Sequence, residues 1–186
     1  MSRPGFDSRD FRRACGQFLT GVTIVTARDT LDTPIGVTVN SFTSVSLDPP
    51  MVLVCLDKRL ASYQAFCAAT TVAIHVLPTD SAHLSARFAR RGADKFSGLA
   101  WRHGRGNVPV LPEYLALFEC SVAQTLDAGD HTLMLGRVEA LDVRGADLLP
   151  LGFFRGEYVE VHRPMVGPAA EEPAPGVDAV WSLGWA

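Results

Sequence analysis

The sequence predicts a mainly β domain, a barrel or sandwich that carries a few helices. Short segments rich in β-branched residues follow one another closely, and few helical segments lie between them. That pattern favours a barrel or sandwich over a doubly wound parallel sheet. The composition, 47% hydrophobic and 20% charged, is typical of a packed globular core. With 186 residues, the chain predicts one domain over 1–163 and a flexible tail rich in proline and acidic residues over 164–186.

The first half of the chain predicts one helix and then several strands. Apolar residues at helical spacing predict a helix from Asp7 to Leu19, capped by Asp7 or Ser8 and ended by Gly21. Strands are predicted over 21–27, 35–42, 51–56 and 71–77. The run 51–56 is continuously apolar, which is typical of a strand that is buried on both faces.

The second half predicts two short helices and a long hairpin. Helices are expected over 61–69 and 80–90, and Leu84 and Phe88 lie four residues apart on one face of the second. Glycines and prolines indicate a loop over 92–112. Two long strands, 115–127 and 131–143, flank a short turn that contains Gly129 and therefore predict a hairpin. The segment 151–161 predicts one or two final strands.

Charge and motif content exclude several classes of protein. A net charge of −3 and a pI near 5.9 do not favour binding to nucleic acid. We find no apolar run long enough to cross a bilayer and no P-loop or dinucleotide-binding glycine motif after a strand. The four cysteines lack metal-ligand spacing, so we expect no metal site, and we interpret them as buried apolar residues of a cytoplasmic protein.

The segment GVTVNSFTSVSLDPP, from Gly36 to Pro50, concentrates hydroxyl and amide side chains. Thr38 and Asn40 share one face of the predicted strand. We expect the chain to leave regular pairing after Asn40, so that free backbone N–H groups and hydroxyls could bind a phosphate or the polar edge of a heterocycle. An ordinary polar edge strand followed by a turn is the alternative that this segment alone leaves open.

Several motifs in a fixed order resemble those of the short-chain flavin reductases, the small components of two-component flavin-dependent monooxygenases. They run FRRACGQFLTGVTIVTA, GVTVNSFTSVSLDPPMVLVCLD, TVAIHVL, LSARFA with DKF, LFECSV, GDH with GRV, and PLGFFRGEY. The resemblance extends from about Phe11 to Val161. It implies a split β-barrel of the FMN-binding type with peripheral helices, a homodimer, and a flavin groove near the dimer interface.

The resemblance also implies which residues form the site. It places His131 at the reaction face, as the residue that orients the nicotinamide or hydrogen-bonds to the reduced flavin. The positions that match flavin-contacting segments of the family are Thr38, Val39, Asn40, Ser41, Ser46, Cys55, Leu56, Asp57, Ser62, Phe88, Ala89 and Lys95.

The activity that the resemblance implies is the reduction of FMN or FAD by NADH or NADPH, with the reduced flavin passed to a partner monooxygenase. The cofactors supply the hydride chemistry, and the protein supplies the geometry. Two alternatives stay open from the sequence. The same fold could hold FMN tightly and act on another small substrate, or it could bind flavin without turnover.

Overall fold

The computed structural model describes residues 5–92, 94–145 and 147–162, so the predicted tail lies outside the described residues. The strands are β1 (Thr20–Gly21), β2 (Thr23–Arg28), β3 (Pro34–Val39), β4 (Thr43–Leu47), β5 (Pro50–Asp57), β6 (Thr71–Val76), β7 (Arg102–His103), β8 (Pro109–Val110), β9 (Ala116–Ala128), β10 (His131–Val143), β11 (Leu151–Phe154) and β12 (Glu157–Glu160). The α-helices are α1 (Ser8–Cys15), α2 (Tyr63–Ala68) and α3 (Ala82–Ala89). No helix of the described part is long and apolar enough to span a membrane.

Seven strands form one antiparallel sheet in the order β3-β2-β6-β9-β10-β5-β4. Its centre is the long β9–β10 hairpin, whose turn is Gly129-Asp130. Gly129 has a φ of 66°, a left-handed conformation that glycine adopts without strain. Two small sheets accompany it, β1-β11-β12 and β7-β8. The predicted fold class, mainly β with peripheral helices, is confirmed.

The described residues form three clusters of buried side chains. One cluster of buried side chains, which includes Val25, Val54 and Met134, belongs to the sheet strands. A second cluster packs α3 against the sheet through Leu84 and Phe88, which share the helical face that the sequence predicted. Burial of these apolar side chains stabilises the fold by about 1.5–3 kcal/mol each.

The two edges of the large sheet are not joined by a strand ladder. Beyond β3 the chain crosses toward β5, and Ser41 takes the place of a strand neighbour there. Its hydroxyl accepts a hydrogen bond from the Cys55 N–H (2.8 Å) and donates one to the Cys55 carbonyl (3.3 Å). We call this open edge, where the Ser41 side chain meets Cys55, the seam.

Several sequence predictions differ from the structure in detail. Segment 92–112, predicted as a loop, contains the short paired strands β7 and β8. Helix α1 ends at Cys15 instead of Leu19, because Gly16 caps it, and it buries none of its residues. Segment 43–47, expected as an unpaired loop, forms β4 against β5. Strand β5 alternates half-buried and buried residues instead of being buried on both faces.

The cysteines also differ from their interpretation as buried residues. Cys120 is buried, which raises the pKa of its thiol to about 12, Cys55 is half-buried, and Cys15 and Cys67 are exposed. No disulfide joins any of the four.

Candidate functional site

A groove of about 170 Å³ opens at the end of β3, beside the seam. One wall is apolar, and Thr38, Asn40 and His131 contribute polar groups to its rim. The residues that line it are Val37, Thr38, Val39, Asn40, Ser41, Cys55, Asp57, Leu60 and His131. The groove therefore combines strand β3, the end of β5 and the first residue of β10.

His131 and Asp57 face each other because β5 and β10 pair there. The Nδ1 of His131 lies 2.7 Å from Oδ1 of Asp130, the residue before it in the turn. This hydrogen bond lowers the pKa of the Asp130 carboxyl. With Nδ1–H committed to Asp130, the Nε2 of a neutral ring is left as an acceptor, because each neutral imidazole carries one donor and one acceptor.

Asp57 is held by Arg59, two residues further along the chain. The Arg59 guanidinium donates from Nη2 to Oδ2 at 2.6 Å and from Nε to Oδ1 at 3.0 Å, and its backbone N–H donates to Oδ1 at 2.8 Å. The side-chain and backbone hydrogen bonds from Arg59 hold the pKa of Asp57 well below its usual range. Asp57 is therefore an ionised acceptor that faces His131, and it is not a proton donor at neutral pH.

A larger cavity of about 590 Å³ adjoins the groove, with which it shares Leu60 as a lining residue. Three cations, Arg90, Arg91 and Lys95, line it against two carboxylates, so its lining carries a small excess of positive charge. The carboxylates are Asp29 and Asp94, and Ser62 and Ala89 also line the cavity. A cavity with apolar walls and several cationic side chains suits an anionic group attached to an apolar or aromatic one.

Lys95 is tied to the fold by two of its three N–H donors. Its Nζ donates to the carbonyl of Phe88, near the C-terminal end of α3, at 2.7 Å and to the carbonyl of Gly36 in β3 at 2.9 Å. Burial lowers the pKa of this ammonium group. Lys95 thus joins α3 to β3, and its third N–H remains available to a ligand.

A third cavity, of about 190 Å³, lies on the α3 side of β3. It shares Thr38, Val39 and Asn40 with the groove, and Ser85 and Tyr158 form part of its other wall. Strand β3 is therefore bordered by open space toward both α3 and the seam.

The structure gathers most of the residues that the sequence resemblance implied. Those in the groove are Thr38, Val39, Asn40, Ser41, Cys55, Asp57 and His131. Those in the adjoining larger cavity are Ser62, Ala89 and Lys95. Leu56 and Phe88 are fully buried, each in a different core cluster, and neither lines a cavity described above. Ser46 pairs with Met51 at the opposite end of β5 from the groove.

Several residues that shape these cavities were not singled out from the sequence. Asp130 and Arg59 hold His131 and Asp57 of the groove, and Tyr158 lines the third cavity. Arg90 and Arg91 both line the larger cavity. The position of Asp130 directly before His131 and that of Arg59 two residues after Asp57 were usable local signals, whereas the place of Tyr158 depends on long-range folding. Within the described ranges, no three His, Cys, Asp or Glu side chains are grouped to hold a metal ion.

Curated relatives share much of the sequence. The chain is 51% identical over 154 residues to the FMN reductase (NADH) SmoA of Agrobacterium fabrum, an alignment that covers 83% of this chain and 86% of that protein. It is 46% identical over 158 residues to a protein of Rhizobium meliloti named "Probable flavin reductase". That match covers 85% of this chain but only 50% of the relative, so the chain spans half of that protein's length.

Solved structures share the fold. A nitrilotriacetate monooxygenase component B homologue from Mycobacterium thermoresistibile superposes with a TM-score of 0.79 at 38% identity, covering 90% of this chain and 94% of the other. The NADH:FAD oxidoreductase SgcE6 of Streptomyces globisporus, in complex with NAD and FAD fragments, gives a TM-score of 0.79 at 33% identity, covering 88% of this chain and 100% of the other.

The family comparison covers nearly all of the described fold. Residues 15–162 match the model of the flavin reductase like domain, and this range contains every strand and both cavities beside the groove. This chain therefore belongs to the flavin reductase like domain family.

Proposed function

We propose that this chain is an NADH-dependent flavin reductase that takes FMN or FAD as its flavin. The proposal rests on one observation. The groove at the end of β3 adjoins the larger cavity, whose lining includes Arg90, Arg91 and Lys95. The names of the relatives support it, since one is an FMN reductase that uses NADH and another an NADH:FAD oxidoreductase.

The side chains present fit a flavin. Val37, Val39 and Leu60 offer apolar surface to a flat ring. Thr38 and Asn40 offer hydrogen-bonding groups to a polar ring edge. The Arg90, Arg91 and Lys95 side chains, together with the Ser62 hydroxyl, provide donors and positive charge for a phosphate. We propose no direct flavin contact for three of the positions that the resemblance implied. Leu56 and Phe88 are buried and support the site from the core, and Ser46 lies at the far end of β5.

A bound flavin would supply the ring that accepts a hydride from a nicotinamide. The chain's own contribution is orientation. Asp130 fixes the ring of His131, and Arg59 keeps Asp57 ionised opposite it. We propose that His131 positions the nicotinamide, because hydride transfer itself needs no protein acid and gains most from a correct approach of the two rings.

The proposed assembly is a homodimer. Apolar side chains are exposed on α1 and at the C-terminal end of β10. Phe11 is 58% exposed, Leu141 64% and Val143 70%. Exposed apolar residues in such numbers are typical of surfaces that a partner covers. The second partner that we propose is a flavin-dependent monooxygenase that receives the reduced flavin, in keeping with the component B homologue of similar fold.

Domain extent and location complete the proposal. We propose that residues 1–163 form the catalytic domain and that 164–186 act as a separate tail. A cytoplasmic location is part of the same proposal, and it is supported by four unpaired cysteines, two of them exposed, which suit a reducing compartment.

The decisive experiment is a steady-state assay of NADH and NADPH oxidation with FMN and with FAD, with and without the chain. We expect a flavin-dependent loss of absorbance at the nicotinamide band, faster with NADH. Extensive dialysis of the purified protein separates a flavin substrate from a tightly held group, since protein that stays yellow would favour the latter. No acceleration with any of the four pairs would overturn the proposal.

A further inference from the structure

Two hydroxyl groups line the groove, and the structure commits them in different ways. The Ser41 hydroxyl both accepts from the Cys55 N–H and donates to the Cys55 carbonyl, so its single proton and one lone pair are used by the seam. Thr38, by contrast, makes one hydrogen bond to the protein. Thr38 therefore keeps both lone pairs for a ligand, whereas Ser41 keeps one.

The direction of the Thr38 hydrogen bond is fixed by chemistry. Its Oγ1 lies 2.7 Å from the backbone carbonyl oxygen of Ser85 in α3. A carbonyl oxygen can only accept, so the hydroxyl proton of Thr38 must point at Ser85. A threonine hydroxyl has one proton and two lone pairs. What Thr38 can offer to the groove is consequently a lone pair, and it cannot donate to a ligand while this bond holds.

Ser85 is held in place from behind. It is fully buried, and its Oγ lies 2.7 Å from the hydroxyl of Tyr158 on β12. Tyr158 packs edge-on against Phe153, with ring centroids 5.8 Å apart. The chain of contacts from β12 through α3 to β3 thus fixes both the position of the Ser85 carbonyl and the polarity of Thr38.

Because the Thr38 hydroxyl can only accept a hydrogen bond in the groove, a ligand must supply the donor. The isoalloxazine ring of an oxidised flavin carries one N–H group, at N3, and its other polar ring atoms only accept. We propose that Thr38 is a fixed acceptor that reads the N3–H of the flavin, and that Ser85 and Tyr158 are the positioning residues that fix this polarity. This inference rests on the proposed function, because it assumes that a flavin occupies the groove.

The test is a binding measurement that needs no turnover. The purified chain is titrated with FMN and with 3-methyl-FMN, which lacks the N3 proton, and binding is followed by quenching of flavin fluorescence. We expect the unmodified chain to bind FMN about tenfold more tightly than 3-methyl-FMN, the value of one net hydrogen bond. Thr38→Val should bring this ratio close to one, and Thr38→Ser should keep it.

The variants also separate a hydrogen bond from a steric clash of the added methyl group. If the methyl group merely collides with the wall, Thr38→Val, which has the same shape, will keep the tenfold ratio, and the inference is wrong. Tyr158→Phe should reduce the ratio while retaining FMN binding, a change that a purely structural tyrosine would not produce. Thr125→Val is the matched control, because Thr125 is exposed on β9 and lines none of the cavities described above, so its replacement should leave the ratio unchanged.

Two further outcomes distinguish this inference from the proposed function. Equal binding of FMN and 3-methyl-FMN by the unmodified chain would overturn the role of Thr38 alone. Failure of the unmodified chain to bind either compound, or FAD, would overturn the proposed function and this inference with it.

Discussion

At the scale of single residues, the site depends on side chains whose hydrogen-bonding capacity is partly spent on the protein. Asp130 uses one carboxylate oxygen to fix His131, and Lys95 uses two of its donors on the carbonyls of Phe88 and Gly36. Because these side chains are already ordered by their hydrogen bonds to the protein, little conformational entropy is lost when a ligand binds. They also make the contribution of each residue separable by substitution.

The first prediction concerns His131. Replacing His131 with alanine should lower kcat for NADH oxidation by about tenfold, because the nicotinamide loses its positioning contact. Flavin affinity, measured by fluorescence titration, should change little. Asp130→Asn should give a smaller decrease, since the ring stays in place and loses only a charged partner. Unchanged turnover in His131→Ala with flavin binding intact would contradict the role of this histidine.

The second prediction concerns the buried His75. Its Nδ1 lies 3.0 Å from the Ile24 carbonyl, and its Nε2 accepts from the Leu111 N–H at 3.0 Å, so the neutral ring joins β2 to the segment before β9. Burial lowers the pKa of His75 from 6.5 to about 4. The unfolded chain therefore takes up a proton near pH 6.5, whereas the native state resists protonation until about pH 4.

The free energy of unfolding should therefore decrease as the pH falls, because the unfolded chain takes up a proton at His75 before the native state does. The contribution of His75 is fully present above pH 6.5 and is lost as the pH falls to about 4, a decrease of roughly 3 kcal/mol in the free energy of unfolding. Urea unfolding at several pH values measures it. His75→Gln should be less stable at pH 8 but should show a shallower pH dependence, whereas His83→Gln, at an exposed site, should keep the original slope. A slope that survives in His75→Gln would assign the acid sensitivity to other groups.

At the scale of elements, β3 is the wall on which the site depends, and its contact with α3 is close. A Cβ added at Gly36 would lie 2.4 Å from Cε1 of Phe88, a ring that is fully buried. Only glycine at this position lets the helix approach the strand closely enough for Lys95 and Thr38 to reach their partners in α3. Helix and strand therefore share one tightly fitted interface.

The third prediction follows from this interface. Gly36→Ala should lower the free energy of unfolding by about 1–3 kcal/mol through overpacking, and it should weaken flavin binding as β3 moves away from α3. Gly21→Ala in β1 is the matched control, because nothing lies within 4 Å of its added Cβ, and it should be near neutral. Equal stability of the two variants in urea would show that the interface yields more easily than the structure indicates.

Elements differ in how far the sequence could predict them. The β9–β10 hairpin was predicted almost to the residue, because Gly129 marks a tight turn between long alternating strands. Helix α1 was predicted too long, since Phe18 and Leu19 continue the helical period past Gly16. Strand β4 was missed because a polar edge strand has the same composition as a turn.

The sequence could predict which segments form the site, but it could not predict the hydrogen bonds between them. Motif order led to β3, β5 and His131, which are close in space. The bond from Thr38 to Ser85 joins residues 47 positions apart, and that from Ser85 to Tyr158 joins residues 73 apart. No local pattern encodes such pairs, because they arise only when α3 and β12 fold onto the sheet.

At the scale of the whole molecule, the single chain leaves several large apolar side chains exposed to solvent. Leu141 and Val143 alternate onto one face of β10, and α1 buries none of its own side chains. A dimer that covered these residues would have a stability linked to protein concentration.

The fourth prediction tests this assembly. Sedimentation analysis should show a dimer, and Leu141→Arg should shift it toward monomer by at least about tenfold in dissociation constant, since a charge would be buried at an apolar interface. Leu31→Arg is the matched control, because Leu31 is 84% exposed in the turn between β2 and β3 and should not affect association. A monomer at all concentrations would contradict the proposed homodimer.

The seam has a kinetic consequence for a protein that must release what it reduces. A fully closed barrel would require strands to separate before a flat ring could leave. Here the groove lies beside an edge held by the Ser41 side chain instead of a strand ladder. The residence time of the flavin should therefore depend on how often the seam between Ser41 and Cys55 opens. Because the flavin enters and leaves by the same path, loosening the seam should raise both the off-rate and the on-rate and so shorten the residence time.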